Sequence, residues 1–234
     1  MDGFNLALHQ GLYVKDPTGS ALGIKLLTHA TQLLDELGLE QFTFRKLGER
    51  MESTEPTVYR YFENKHRLLL YLSTAWWGWQ EMRLISGLAH IDGPQAKLDY
   101  ALHLLTAPIP DTTPLPGVQG PVLHRIMVAE FPKAYLTKGV DAENQEGLFL
   151  GYKRFCSHLA QIITDLSPEF PFPRMLASTV VEASIVQPYF QRHLPRLTDL
   201  PTDLPSGGET QLATFLQRVI HGACLSPQLT SHLK

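Results

Sequence analysis

The chain has 234 residues, 44% of them hydrophobic, and a formal net charge of −3. That is enough apolar material for one large core or two smaller ones, and the slight acidity excludes a protein that grips nucleic acid through bulk charge alone. The longest apolar run, Leu68 to Trp79, is interrupted by Ser73, Thr74 and Gly78 and falls short of the roughly 20 residues needed to cross a bilayer. The start, Met1-Asp2-Gly3-Phe4, lacks the basic flank of a secretory signal, and the two cysteines, Cys156 and Cys224, have no framework spacing. Both features predict a cytoplasmic protein with no membrane partner.

Residues 1–18 show no sustained period and run into Asp16-Pro17-Thr18-Gly19, so they read as an N-terminal arm. From Ser20 the pattern becomes helical. Leu26, Leu27, Ala30, Leu33, Leu34 and Leu37 step by one, three and four residues and give one wide apolar face, with Gly38 as a left-handed stop. Thr43 is placed as the N-cap of a short helix through Met51. After the break Glu52-Ser53-Thr54-Glu55, a second short helix opens with Pro56, which a first turn tolerates because its missing N–H would have no partner there. Asn64 then caps a helix predicted from Lys65 into the high eighties.

Beyond Ala89 helical stretches are predicted over about 94–106, 121–137, 142–166, 173–193 and 208–223, with the proline-rich break Pro108–Gly120 as a loop. No alternating β-branched run suggests a sheet, so the fold class is all-α. The predicted division is an arm over 1–18, a compact three-helix domain over 19–68 and a larger helical domain over 69–234.

Two short helices joined by a tight turn behind a longer amphipathic helix make a helix-turn-helix over residues 20–62. In this reading Leu47 and Met51 pack on Val58 and Phe62, and Gly48 lets the two helices approach closely. Helix starts at Thr43, Thr54 and Asn64 present N–H groups to phosphates. Charge in this region is balanced, with eight basic and eight acidic side chains over residues 15–70, so the positions of the charges matter more than their sum.

The run Phe42-Thr43-Phe44-Arg45-Lys46-Leu47-Gly48, followed by Thr57-Val58-Tyr59-Arg60-Tyr61-Phe62-Glu63-Asn64-Lys65-His66-Arg67-Leu68-Leu69, resembles the DNA-binding domain of the tetracycline-repressor (TetR) family. The resemblance covers roughly residues 20–70. It implies that Thr43 and Arg45 touch the DNA backbone, that Thr57, Tyr59 and Lys65 contact phosphate, and that Thr54, Glu55 and Arg60 lie near the groove, with Lys46 among the DNA-facing bases. Tyr61 is read as packing. The turn departs from the family, which has a glycine and a small aliphatic residue where this chain has Glu52 and Ser53.

The rest of the chain is rich in large side chains. A ligand pocket is expected from Trp76, Trp79, Tyr100, His103, His124, Met127, Phe131, Tyr152 and Phe155, although each one taken singly reads more simply as core. Trp76, Trp77 and Trp79 lie within four positions and cannot all face one core, so at least one of them is expected at a pocket, an interface or solvent. A dimer interface is expected on the two late helices, through Leu176, Val180, Ala183, Val186, Leu212, Phe215 and Val219; intramolecular packing is the alternative. Cys156-Ser157-His158 and His221-Gly222-Ala223-Cys224 lack a second convergent pair, so no metal is expected. No cofactor is expected, and no phosphate loop or nucleophile motif suggests an enzyme.

The function these readings predict is a DNA-binding transcriptional regulator, a homodimer on a palindromic operator in double-stranded DNA, released by an unknown small-molecule effector. The alternative is a DNA- or protein-binding helical regulator with no effector.

Overall fold

A computed structural model describes residues 10–201 and 208–225, together with the side chains of all of these except Gln10 and Leu225. Among the described residues every regular element is helical. In chain order they are α1 (Ala21–Gln41), α2 (Phe44–Arg50), α3 (Glu55–Tyr59), α4 (Lys65–Leu88), α5 (Pro94–Thr106), α6 (Gly120–Glu130), α7 (Pro132–Tyr135), α8 (Val140–Gln145), α9 (Leu150–Leu166), α10 (Pro173–His193) and α11 (Gly208–Leu225). Short 3-10 turns occur at Gln10–Leu12, Pro17–Gly19 and Pro195–Leu197.

The chain divides into two compact units, one built from the segment up to Glu81 with Ile109–Lys153, the other from Met82–Pro108 with the segment from Arg154 onward. In the first unit, Ser20 Oγ accepts from the Gly23 N–H at 3.2 Å and starts α1. The leucines of its apolar face, Leu26, Leu27, Leu33 and Leu34, are buried with Ala30. Each leucine so buried contributes about 2 kcal/mol. The helix loses its regular path at Gly38, where φ is 70°, and one further turn carries the chain to Gln41.

α1 packs on α6 and α2. Charged groups fasten the first of these contacts. Arg125 grips Asp35 with two nitrogens at 2.9 and 2.6 Å, and this hydrogen bonding holds the guanidinium pKa above its ordinary value. Lys133 lies 2.9 Å from Glu130 and 3.4 Å from Glu40, and its ammonium pKa is raised, chiefly by the bond to Glu130. The start of α4 is tied to the α8 region in a similar way. His66 Nε2 and Glu143 Oε1 are 2.8 Å apart, Arg67 reaches Glu146 at 3.2 Å, and Thr74 donates to the Leu148 carbonyl at 3.0 Å.

Two predicted helices are each divided. The stretch expected over 121–137 breaks between α6 and α7, where Pro132 has no N–H to continue the ladder. The stretch expected over 142–166 breaks between α8 and α9, where Gly147 takes a φ of 82°. The tryptophans also depart from expectation. Over Leu68–Glu81 every residue except Thr74 and Gly78 is buried, so α4 has no solvent side there and Trp76, Trp77 and Trp79 are all buried. The premise of a single buried face fails because the helix is enclosed all round.

In the second unit α11 packs on α5 and α10. Leu98, Ala101 and Leu102 of α5, Val180 and Val181 of α10, and Leu216 and Ile220 of α11 are buried. Gln217 Nε2 donates to Asp99 at 2.9 Å, and Tyr100 donates to the Arg83 carbonyl at 3.2 Å.

Candidate nucleic-acid interface

The helix-turn-helix is assembled by caps and by one close backbone approach. Thr43 Oγ1 accepts from the Lys46 N–H at 3.2 Å and starts α2. The Ser53 N–H returns to the Gly48 carbonyl at 2.8 Å. A Cβ added at Gly48 would lie 2.9 Å from the Thr54 carbonyl carbon, so the start of α3 passes where only glycine leaves room. Leu47, Met51, Val58 and Phe62 are buried beneath α2 and α3. The turn itself places Glu52 at φ 54°, the left-handed conformation that glycine normally fills.

This scaffold presents one polar surface. Thr43, Arg45, Lys46, Thr54, Tyr59 and Arg60 are exposed, and Glu55 and Thr57 are half-buried. The Thr54 and Thr57 hydroxyls are 3.0 Å apart at the start of α3. Tyr59 is 48% exposed, and its ring stands edge-on to Phe44 at 5.0 Å, so packing fixes the ring while its hydroxyl end stays outward. Tyr61 is buried, and its hydroxyl is 3.0 Å from Ser20 Oγ. A helix with its side chains is about 10–12 Å across, which a major groove about 12 Å wide admits.

The basic groups are engaged to different degrees. Arg45, its side chain 79% exposed, pairs with Glu49 at 3.0 Å one turn along the same helix. Such an exposed pair is weak and easily exchanged for another acceptor. Arg50 pairs with Glu36. Lys46 Nζ donates to the Gln41 carbonyl at 2.9 Å, and Lys65 Nζ donates to three carbonyls, those of Leu39, Glu40 and Phe42, at 2.8, 3.1 and 3.3 Å.

Of the N-terminal segment read as an arm, residues 1–9 lie outside the described residues. Residues 12–17 lie against the helical unit. Leu12 and Pro17 are buried, the Val14 N–H donates to the Tyr61 carbonyl at 2.8 Å, and Lys15 sits over the Tyr61 ring at 5.6 Å. Tyr13 meets Tyr71 edge-on at 6.0 Å. Burial, with Asp16 and Tyr13 adding to it, pushes the Tyr71 phenol pKa up, so that group stays neutral.

The residues expected to line a ligand pocket fall into both units. In the first, Trp76 stacks on His124 at 5.4 Å and meets Trp79 at 5.6 Å. Phe131 and Tyr152 pack together at 5.1 Å with Trp77 beside both, and Met127 is buried. In the second, Tyr100 lies against Gly87, Phe155 is buried and His103 is exposed. A cavity of about 670 Å³ lies elsewhere in the second unit, between the end of α10, residues 197–200 and α11, with Gln187, Thr198, Leu212, Phe215 and Arg218 in its wall. None of the expected pocket residues lines it. Its walls combine threonines, glutamines, Asp199 and Arg218 with Leu197, Leu200, Leu212 and a single aromatic, Phe215, a pattern without the aromatic emphasis that guided the sequence reading.

The residues expected at a dimer interface divide by burial. Leu176, Val180 and Leu212 are buried within the unit; Ala183, Val186 and Val219 are half-buried; Phe215 is 48% exposed. Met175, 69% exposed, with Phe172 and Tyr189, adds exposed apolar area on α10 and its approach. On both helices isolated large apolar residues, Met175 and Phe215, stand on the side turned away from the buried leucines, and their neighbourhood in sequence does not tell them from core.

Residues 26–72 match the family profile described as "Bacterial regulatory proteins, tetR family". No curated protein matches the chain. Among solved structures, the chain is similar to the fatty acid degradation regulator FadR from Bacillus halodurans, with a TM-score of 0.57 and 14% identity, over 87% of this chain and 96% of that one. It is similar to AibR, solved in complex with isovaleryl coenzyme A and operator DNA, with a TM-score of 0.55 and 15% identity, over 82% and 94%. It is also similar to the superantigen PfiT, with a TM-score of 0.54 and 15% identity, over 91% and 100%. At these identities the likeness is one of fold, and fold does not by itself carry function. The match over residues 26–72 is of another kind, since it falls on the helix-turn-helix just described: that N-terminal segment is similar to the DNA-binding domain of the tetR family of bacterial regulatory proteins.

Proposed function

We propose that the chain is a sequence-specific DNA-binding transcriptional regulator, a repressor that acts as a homodimer on a palindromic operator and is released by a small-molecule effector. The observation that carries the reading is the exposed face of α3, with Thr54, Thr57, Tyr59 and Arg60, set against α2 by the close approach at Gly48. Residues 19–68 serve as the DNA-binding domain, residues 69–234 bind the effector and dimerise, and residues 1–18 are the arm that precedes them. Thr43, Arg45 and Lys46 supply backbone contacts beside α3, and Glu55 favours the dipole at its start.

A palindrome demands a two-fold protein. Phe172, Met175 and Tyr189 with Phe215 put exposed apolar area on α10, its approach and α11, and this supports pairing of those helices between two copies. A repressor of this kind has to bind its effector more tightly in the conformation that does not fit the operator, otherwise no shift follows. The two regulators among the similar structures concern fatty acid degradation and isovaleryl coenzyme A, so acyl thioesters are the first compounds to screen.

A regulator without effector is the second reading. It is favoured by the packing of Trp76, Trp79 and His124 on one another, which fills the place where an aromatic pocket was expected. Selection of random duplexes by the purified protein, at several salt concentrations, tests the DNA reading. Recovery of a palindrome whose affinity falls steeply with salt supports it, and no enrichment at any salt refutes it. Release of that operator by an added thioester or other small apolar compound separates the first reading from the second.

A further inference from the structure

The family resemblance makes Lys65 a phosphate contact, but the surroundings of its ammonium group argue for another task. A lysine carries three N–H donors and no acceptor. In this structure three backbone carbonyls, those of Leu39, Glu40 and Phe42, lie within 2.8–3.3 Å of Lys65 Nζ, so its donors are matched one for one. Those of Leu39 and Glu40 belong to the last turn of α1, beyond the point where Gly38 interrupts the helix, and that of Phe42 to its C-cap. The negative end of a helix, with carbonyls that have no partner further along the chain, is where an ammonium group is most favourable. The Gln41 carbonyl between them is taken by Lys46 Nζ at 2.9 Å. Two lysines thus satisfy four successive carbonyls.

Position gives this arrangement its consequence. Lys65 is the first residue of α4, and the carbonyls it holds lead directly into buried Phe42 and into Thr43, the N-cap of α2. The lysine therefore fastens the start of the helix-turn-helix to the helix that follows it. Turning the ammonium toward a phosphate would leave three carbonyls without a donor, and those of Leu39 and Phe42 sit in partly buried bonds. Arg45 and Arg60 face no such conflict, since both are exposed and the partner of Arg45 is a solvated glutamate.

We propose that Lys65 is a positioning residue: its ammonium caps the α1–α2 connection and fixes α2 against α4, and it is withheld from the DNA backbone. The inference rests on the DNA reading only for its role in binding; the cap itself is a property of the free protein. Two measurements on the free full-length chain address the cap. Acylation by an amine-reactive reagent, followed residue by residue, is expected to modify Lys65 at least tenfold more slowly than exposed Lys138. Lys65→Met, which keeps the apolar stem and removes the donors, is expected to lower Tm by about 5 °C, whereas Arg60→Ala leaves it unchanged. Equal labelling of Lys65 and Lys138, or an unchanged Tm for Lys65→Met, overturns the proposal.

The third measurement is the salt dependence of binding to the selected operator. A lost phosphate contact lowers the slope of log K against log salt by about 0.9 per subunit. Lys65→Met is expected to weaken binding with that slope unchanged, while Arg45→Ala, at an exposed backbone-contact position, weakens binding and flattens it. A flattened slope for Lys65→Met overturns the proposal. If the wild-type protein selects no operator, the DNA reading fails, and labelling and melting still decide whether the cap exists.

Discussion

Replacing Gly48 by alanine sets two effects of similar size against each other. Alanine in a helix interior is about 1 kcal/mol more favourable than glycine. The added Cβ, however, would stand 2.9 Å from the Thr54 carbonyl carbon, 3.0 Å from the Glu55 nitrogen and 3.2 Å from the Thr54 oxygen. Non-bonded carbons prefer about 3.5–4.0 Å, so α2 and α3 have to part by about 0.5 Å or more, and the obstacle is backbone that cannot swing aside. Forcing a methyl group into a packed site costs about 1–3 kcal/mol. The net expectation is a loss of about 1 kcal/mol, or about 2–4 °C in Tm for a chain of this size. The larger effect falls on DNA. Displacing α3 disturbs the fit of Thr54, Thr57 and Arg60 together, and losing one good base contact costs about 1–3 kcal/mol, so operator affinity is expected to fall at least tenfold. Calorimetric melting and operator titration read the two effects, with Gly19→Ala as the control because a Cβ there meets nothing within 4 Å. A Gly48→Ala protein that melts higher than the wild type and binds its operator unchanged would refute the close-approach argument.

Other consequences follow from the same geometry. Glu52 occupies a left-handed conformation at φ 54°, which costs a residue with a side chain about 1 kcal/mol; Glu52→Gly is therefore expected to raise Tm by about 2 °C, partly offset by the greater freedom of glycine in the unfolded chain. Gly38→Ala is expected to destabilise by about 1–2 kcal/mol in a denaturant titration, because φ is 70° and the added Cβ would meet Glu130 Oε1 at 3.0 Å. Arg125→Ala removes the two-pronged grip on Asp35 between α1 and α6; since both groups are partly exposed, the expected loss is only about 1 kcal/mol, and a loss above about 3 kcal/mol would show the pair to be worth more than its exposure allows. Met175→Arg combined with Phe215→Asp is expected to yield a folded monomer in analytical ultracentrifugation, and a dimer that persists would move the interface elsewhere.

Most of the local structure of this protein is determined by its sequence read alone. The caps at Thr43 and Asn64, the left-handed Gly38 and the leucine spacing of α1 are local features set by residues a few positions apart, and they occur where the pattern puts them, although α1 resumes for one turn beyond Gly38. The bounds of α5 and α10 were legible for the same reason, with proline opening each helix. Gly48 was legible too, because a glycine inside a short helix next to a turn has few other uses. Tertiary structure alone decided the rest. Whether α4 has one buried face or none depends on what surrounds it, and the enclosure of three tryptophans is invisible in their spacing. The exposure of single apolar residues on α10 and α11 was not legible either, since only packing within the unit chooses between Leu176 and Met175. Lys65 shows the limit most clearly. Its place in the motif identifies the residue, but its donors are directed by carbonyls 23 to 26 positions earlier in the chain, and those are brought within reach only when α1 and α4 fold together.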